Sequence, residues 1–470
     1  MKYELVSGLE THVELATATK IFCSCTTAFG GSPNTHCCPV CTGQPGALPV
    51  LNKKVVEFGI RAGLATHCKI NTITHLDRKN YCYPDLPKAY QISQFDKPLC
   101  ENGYVELESG KRIGITRIHI EEDAGKLVHE RGFTFVDYNR GGVPLIEIVS
   151  EPDISSVEEA VEYVEKLQLI MRYISVSDCK MQEGSMRCDV NISIRPEGSK
   201  ILGTRTEIKN MNSLSFMERA MKFEFERQSE LLNGGGEVEQ ATMRFDEQTG
   251  ETYVMRTKED AQDYRYFPEP DILTVTIPQK KVDEIRADLP ELPVEKLKRY
   301  TVELGINHAT AKLLYKYKKV CDWFEGALKN GASAKHTANL VVGTIYSTLA
   351  TEEDKEKFDI KVTSAEMAKL VKLVDEGKIN ITLAQMTLIK MLENGGEVES
   401  YLSAEDLAGV DESELEKLCM QAIEANPQAV ADFKEGKEKA IFALYGFIKR
   451  ATQGKADVKK ADGIIRKLIK

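Results

Sequence analysis

The chain has 470 residues, 12 of them Cys, with 42% hydrophobic content and 62 Lys and Arg against 72 Asp and Glu, which suits about three domains with their own cores. Its 33 Gly and 16 Pro exclude collagen-like and low-complexity readings, no apolar run approaches the ~20 residues of a membrane helix, and the net charge of −10 argues against a chain that coats nucleic acid throughout. The N-terminus MKYELVSGLE carries Glu4 and Glu10 where a signal peptide is apolar, so a cytoplasmic protein without a membrane association is expected.

The first predicted strand is Gly8-Leu9-Glu10-Thr11-His12-Val13-Glu14. Alternate side chains of a strand share a face, so Glu10, His12 and Glu14 project together while Leu9, Val13 and Leu15 cover the other side. That set is a plausible half-site for a divalent cation, and it is also what a solvent-exposed strand presents. Next comes Cys23-Ser24-Cys25, then Cys38-Pro39-Val40-Cys41. Two close cysteine pairs fit a tetrahedral structural zinc site, with buried unpaired thiols as the alternative reading. Cys38 is preferred to Cys37 because it restores the CxxC spacing.

Further strands follow in Lys111 to Ile120, with Ile118, Ile120 and Glu122 on one face, and in PLIEIVS, with Leu145, Glu147 and Val149 on one face. Carboxylates among apolar neighbours are costly to bury unless a cation meets them. In CDVNISI, Asp189 projects with Asn191 and Ser193. Several carboxylates and one His from separate strands form an oxygen-rich set that suits Mg²⁺ and phosphoryl chemistry. Lys79, Lys88, Arg117, Arg140, Arg187, Arg205 and Lys209 are interspersed with these acids and are candidates for phosphate contacts or salt bridges. The chain has neither GxxxxGK[ST] nor GxGxxG.

Helices are predicted over Ser155 to Tyr173 and Ser213 to Leu232, the latter stopped by Asn233-Gly234-Gly235-Gly236. The pattern turns helical after Asp288-Leu289-Pro290-Glu291-Leu292-Pro293, with helices expected over 295–304, 308–328 and 333–349 and breakers at Asn394-Gly395-Gly396 and Pro427. The expected class is α+β: a mostly antiparallel β-rich domain over 1–292, a helical domain over 293–400 and a helical tail over 401–470. Lys434 to Lys470 holds 11 basic residues and 4 acids, a local +7 that leaves −17 on the rest. An acidic body with a basic tail is suited to meeting phosphates at one end.

LVSGLETHVEL, LDRKNYCYPDLPKAYQISQ, HIEEDAGKL, DYNRGGVPLIEIVSEPD, MQEGSMRCDVNISI, EIKNMNS and KEDAQDYRYFPEPD resemble, in order, the motifs of the GatB family, which belongs to the tRNA-dependent amidotransferases. The resemblance is specific through about residue 273 and looser over the helical and YqeY-like tail regions. It implies a β-rich cradle domain and a carbon-nitrogen ligase subunit that uses ATP and Mg²⁺ to activate the side-chain carboxylate of Glu-tRNA(Gln) or Asp-tRNA(Asn). Ammonia would come from a glutamine-hydrolysing amidase (A) subunit, in a heterotrimer completed by a small C subunit. Carried over by motif, Glu10, His12, Glu122 and Glu147 are expected to hold Mg²⁺, with Asp189 a further ligand or water-mediated contact. Lys79 and Lys88 are expected on the ammonia path or the phosphates. Cys23, Cys25, Cys38 and Cys41 are expected to hold structural zinc, and Lys449, Arg450, Lys459, Lys460, Arg466 and Lys467 to meet tRNA phosphates. The chain has no visible amidase signature and no insertion like that of the archaeal GatDE type, which favours the bacterial heterotrimer. The competing class is a zinc-stabilised RNA-binding scaffold without chemistry, its carboxylates merely paired with neighbouring arginines.

Overall fold

In the computed structural model, which describes residues 2–257, 263–408, 412–452, 456 and 458–469, strand β1 (Tyr3–Glu14) lies in the middle of a nine-stranded sheet. The other strands are β2 (Lys69–Ile70), β3 (Cys100–Glu106), β4 (Arg112–Glu122), β5 (Pro144–Ser150), β6 (Met186–Pro196), β7 (Thr206–Met211), β8 (Ala241–Phe245) and β9 (Thr252–Thr257), in the spatial order β9-β8-β7-β6-β1-β5-β4-β3-β2. All these pairings are antiparallel except β7 with β8, which run parallel. A parallel pair needs a crossover, and the expected helix from Ser213 supplies it as α3, introduced below. The α+β class therefore holds, with helical structure dominating after residue 292.

One face of the sheet is apolar. Leu9, Val13, Ile118, Ile120, Ile146, Ile148, Val190 and Ile192 lie in one continuous buried core. That core includes residues of three helices, α1 (Lys53–Ala65), α2 (Val157–Tyr173) and α3 (Leu214–Asn233). Ser156 caps α2 by accepting from the Glu159 N–H, which is why the expected start at 155 moves in by two residues.

The sequence reading missed α1. Its Gly59 and Gly63 both sit where a side chain has no room: a Cβ on Gly63 would lie 2.4 Å from Cys100 Sγ, and one on Gly59 2.5 Å from Leu99 Cδ2. These glycines let the helix approach strand β3, and Asn52 supplies its N-cap by accepting from the Lys54 N–H at 2.9 Å. A further short helix, α4 (Gln279–Ala287), packs on α1.

The chain divides into two compact units, 1–292 and 293–470. In the second, the helix expected over 295–304 is Pro293–Lys298 followed by a π-helical turn, Arg299–Glu303. The one expected over 308–328 is two helices, His308–Tyr315 and Lys318–Lys329, separated where Tyr317 adopts extended backbone. That over 333–349 is Ala334–Leu340, then π-helical Val341–Ile345 and a last turn Tyr346–Thr348. Lys296, Arg299 and Tyr300, at i, i+3 and i+4 on one helix face, all donate to Glu325 Oε1, at 2.6, 2.6 and 2.7 Å. Towards the C-terminus, Leu415, Cys419, Ala422, Ile441, Leu444, Ile448, Ala461 and Ile465 form a core of their own. Among the described residues no helix is long and apolar enough to cross a membrane.

Glu224 of α3 is fully buried and accepts from Arg227, Gln228, Thr206 and Thr252 at 2.6 to 3.0 Å. Burial by itself raises its pKa, but the arginine and the hydrogen bonds outweigh it and hold the carboxyl below the ordinary 4.5. Glu224→Ala is expected to destabilise the first unit by about 3 kcal/mol in urea unfolding at pH 7. Because the folded pKa is the lower one, this stabilisation is present above the ordinary pKa and declines as the pH falls below it, so the wild-type and variant midpoints should converge in acid.

Candidate functional site

The face of the sheet opposite the core carries the charge. Antiparallel register sets His12 across from Glu147 on β5 and Arg187 on β6, and Glu147 across from His119 on β4. Glu10 lies across from Asp189. Residues directly opposite share a face, so a row of four side chains from four strands converges, with Glu121 two residues beyond His119 on the same side.

His12 Nε2 is 3.5 Å from both Glu121 Oε1 and Glu147 Oε2. His119 Nε2 is 3.2 Å from Glu147 Oε2 and 3.8 Å from Glu121 Oε2, and its buried Nδ1 has no hydrogen-bond partner among the described residues. Burial alone would lower the pKa of His12, but Glu147 and Glu121 outweigh it and raise it to about 9. Burial works in the opposite sense on Glu147, and the two histidines hold its carboxyl well below the ordinary range. At neutral pH the centre is an imidazolium between carboxylates.

A second group adjoins it. Glu10, Asp189 and Glu207 can bring one oxygen each within 4.8 Å of the others, as can the donors of His12, Glu121 and Glu147. Lys209 Nζ already lies between Asp189 Oδ2 at 2.8 Å and Glu207 Oε1 at 2.6 Å. Burial and then the nearby Glu147 push the Glu10 carboxyl up, and Asn191 holds it by a 3.0 Å hydrogen bond. Glu14, half-buried beside Asp123, is pushed up to about 8 by the loss of water and by that neighbour. Burial is the main cause of both shifts, with neighbouring carboxylates adding to it, and a divalent cation bound there would favour the ionised forms. Of the three-donor group, the His12 position is the one that must lose a proton to act as a ligand.

Glu122 does not join this centre. It shares the opposite face with Ile118 and Ile120, as strand alternation requires, and accepts from Lys88 Nζ at 2.5 and 2.6 Å and from the Ile92 N–H at 2.9 Å. Its place beside His12 and Glu147 is taken by Glu121. Lys79 and Lys88 separate in the same way. Lys79 lies in the field of Glu121 and Glu147, whereas Lys88 and Glu122 line a cavity of about 180 Å³ with Lys20, Cys41, Tyr90 and Gly142. Glu121 and His119 were missed, although the i, i+2 rule that singled out Glu10 and His12 finds them in RIHIEE.

That cavity borders a thiol cluster. The sulfurs of Cys23, Cys25, Cys38 and Cys41 lie within 4.8 Å of one another, the spacing four ligands need around a tetrahedral ion. Cys37 turns away to Asn139 Oδ1 at 3.8 Å. Cys41 is the natural thiolate: hydrogen bonding from Cys23, the Cys38 N–H at 3.2 Å and buried Lys20 at 3.6 Å bring its pKa down to about 4 despite burial.

In the second unit Lys449 and Arg450 are exposed at the end of Ile441–Ala451, and Lys460 and Lys467 are exposed on Val458–Ile469. Arg466 on the same helix donates to Asp462 at 2.7 Å. The side chain of Lys459 lies outside the described residues, as do residues 258–262 of the KEDAQDYRYFPEPD segment.

Two family models match the chain, one described as the GatB/GatE catalytic domain over residues 5–283 and one described as the GatB domain over residues 322–469. Among similar proteins, the B subunit of the aspartyl/glutamyl-tRNA(Asn/Gln) amidotransferase of Thermoanaerobacter pseudethanolicus is 51% identical over 99% of both chains. The protein of that name from Caldicellulosiruptor saccharolyticus is 50% identical over 99% of both, and that from Bacillus velezensis 48% identical over the full length of both.

The thiol geometry predicts about one zinc per chain in the purified protein by metal analysis. Cys23→Ser combined with Cys38→Ser should lose that zinc and lower the thermal midpoint by several degrees, whereas Cys37→Ser should keep both.

Proposed function

Since the chain belongs to the GatB family, we propose that it is the aminoacyl-tRNA amidotransferase component that activates the side-chain carboxylate of Glu-tRNA(Gln) or Asp-tRNA(Asn) with ATP and presents it to ammonia. The ammonia is delivered by a glutamine-hydrolysing A subunit in a heterotrimer with a small C subunit. The observation that carries this reading is the convergence of His12, Glu121 and Glu147 from three adjacent strands on one polar face.

The chemistry sets two demands. A carboxylate must approach the γ-phosphate of ATP although both are anions, and the acyl phosphate that results must be shielded from water until ammonia arrives. His12, Glu121 and Glu147, with Glu10 and Asp189 alongside, would hold Mg²⁺, which when bound supplies the charge that offsets the phosphate oxygens. Lys79, placed in the field of the same carboxylates, contributes a fixed positive charge facing the phosphates. Lys209, between Asp189 and Glu207, offsets the repulsion of their two charges. Lys88 and Glu122 lie on the far side of the sheet from this centre, and we assign them to the ammonia path. Their cavity adjoins the four-thiolate cluster, whose zinc would act as a scaffold, because four protein ligands leave no open coordination position. The exposed basic side chains Lys449, Arg450, Lys460 and Lys467 suit tRNA phosphates.

In the reconstituted heterotrimer, His12→Ala, Glu121→Gln and Glu147→Gln should each lower amidation and tRNA-dependent ATP hydrolysis by about two orders of magnitude while glutamine hydrolysis persists. Normal amidation in all three would reject the assignment. Calorimetry should find that Mg²⁺ binding tightens from pH 7 towards about 9 and releases close to one proton per ion below that pH, since His12 holds its proton up to about 9. Removing residues 401–470 should weaken tRNA binding and leave glutamine hydrolysis intact, and equal loss of both would make the tail structural.

A further inference from the structure

Beside the polar face lies a chain of aromatic rings that the chemistry above does not use. Tyr264 has its ring 4.9 Å from Lys79 Nζ. Tyr266 meets Tyr264 edge-on at 6.1 Å, and Phe95 stacks on Tyr266 at 4.4 Å with the planes 15° apart. Tyr266 is within electrostatic reach of Glu121, Glu147, Lys79 and Arg117, and the buried Nε of Arg117 has no hydrogen-bond partner among the described residues. The outermost ring, Phe95, is 52% exposed.

The arrangement is built rather than incidental. The Phe95 N–H donates to the buried Asp77 carboxylate at 2.8 Å. Asn80 secures the opposite segment, donating from its backbone N–H to Tyr264 O at 2.9 Å and from Nδ2 to Arg265 O at 2.8 Å. Phe267 and Pro268 then pair with Arg78 and Asp77, and Arg78 closes the turn with two bonds to Glu269 at 2.6 and 2.9 Å. A phenyl ring fixed at both flanks and left open on one side is a stacking surface.

We propose that Phe95 and Tyr266 form the platform on which the terminal adenosine of the aminoacylated tRNA stacks. The inference rests on the amidotransferase reading above. In that substrate the reacting carboxylate and the terminal base belong to one aminoacyl nucleoside, so a carboxylate at His12, Glu121 and Glu147 places the base within one nucleotide's reach. The ring series spans that interval, from Lys79 at the carboxylates to Phe95 at the rim. An open, solvent-facing ring is how single-stranded RNA ends are held, whereas a small nucleotide such as ATP is normally enclosed over most of its surface. Arg117, whose charge reaches Tyr266, supplies a cation beside the platform.

The test uses the reconstituted heterotrimer with two competitors of amidation, deacylated tRNA and the same tRNA lacking its terminal adenosine. The wild-type complex should prefer the intact competitor by about tenfold. Phe95→Ala should remove that preference and raise the KM for aminoacyl-tRNA by a similar factor, with the KM for ATP unchanged, and Phe95→Trp should restore both. Tyr266→Ala should follow Phe95→Ala. Equal inhibition by both competitors in the wild type, or a rise confined to the KM for ATP, would overturn the proposal. An active wild-type complex that is indifferent to Phe95→Ala defeats the platform alone, whereas a wild-type complex that cannot amidate defeats the reading beneath it.

Discussion

The candidate site depends on the antiparallel register of β1 between β5 and β6. With the register as it is, His12 meets Glu147 and Arg187, and Glu10 meets Asp189. A slip of one residue would turn Leu9 and Val13 to the polar side and send Glu10, His12 and Glu14 into the hydrocarbon beneath α1, α2 and α3. Burial of the apolar face therefore does more than hold the sheet together. It fixes, to a single residue, which charged side chains face one another on the other side. The glycines of α1 serve the same end, since the helix could not approach β3 with side chains at 59 and 63.

Collecting acids on one face has an electrostatic cost, and the protein meets it with cations drawn from several elements. Lys209 lies between Asp189 and Glu207, and Arg187 and Arg140 flank Asp123 at 3.0 and 3.2 Å. His12 takes a proton for Glu121 and Glu147. Burial, and then the neighbouring acids, leave the carboxyls of Glu10 and Glu14 raised. The same sheet carries a second polar arrangement on its core side, where Lys88 and Glu122 neutralise each other next to the thiol cluster. Two charged centres on opposite faces of one strand pair can thus differ in character: one an excess of anions able to accept a metal, the other a closed ion pair lining a cavity.

Strand alternation within a single segment was readable from the residues, and it separated Glu10 and His12 from Leu9 and Val13 correctly. It also put Glu122 with Ile118 and Ile120, which is where it lies. The error came from grouping Glu122 with His12 and Glu147. Each strand's two faces can be told apart from its own sequence, but which face of β4 aligns with which face of β5 depends on register, and Glu121 and Glu122 are adjacent residues with identical chemistry. Lys79 and Lys88, from one motif, also part company, Lys79 in the field of Glu121 and Glu147 and Lys88 on Glu122. The helix expected over 155–173 was legible through its apolar period and that from Ser213 through its Asn-Gly-Gly-Gly stop, whereas α1 carries Gly59 and Gly63 for close packing against β3 and its neighbours.

The sequence by itself determined the α+β class, the family, the helical character after residue 292, the CxxC pairing that marks the thiol cluster, and the asymmetric charge of −17 and +7. Those properties follow from composition, spacing and local periodicity, which need no neighbour. Only the tertiary structure decided that Glu121 rather than Glu122 faces His12, and that Phe95 stacks on a tyrosine 171 residues away in the chain. Each of these is a choice between chemically similar residues, made by strand register and loop closure. Such choices lie in contacts between segments distant in sequence.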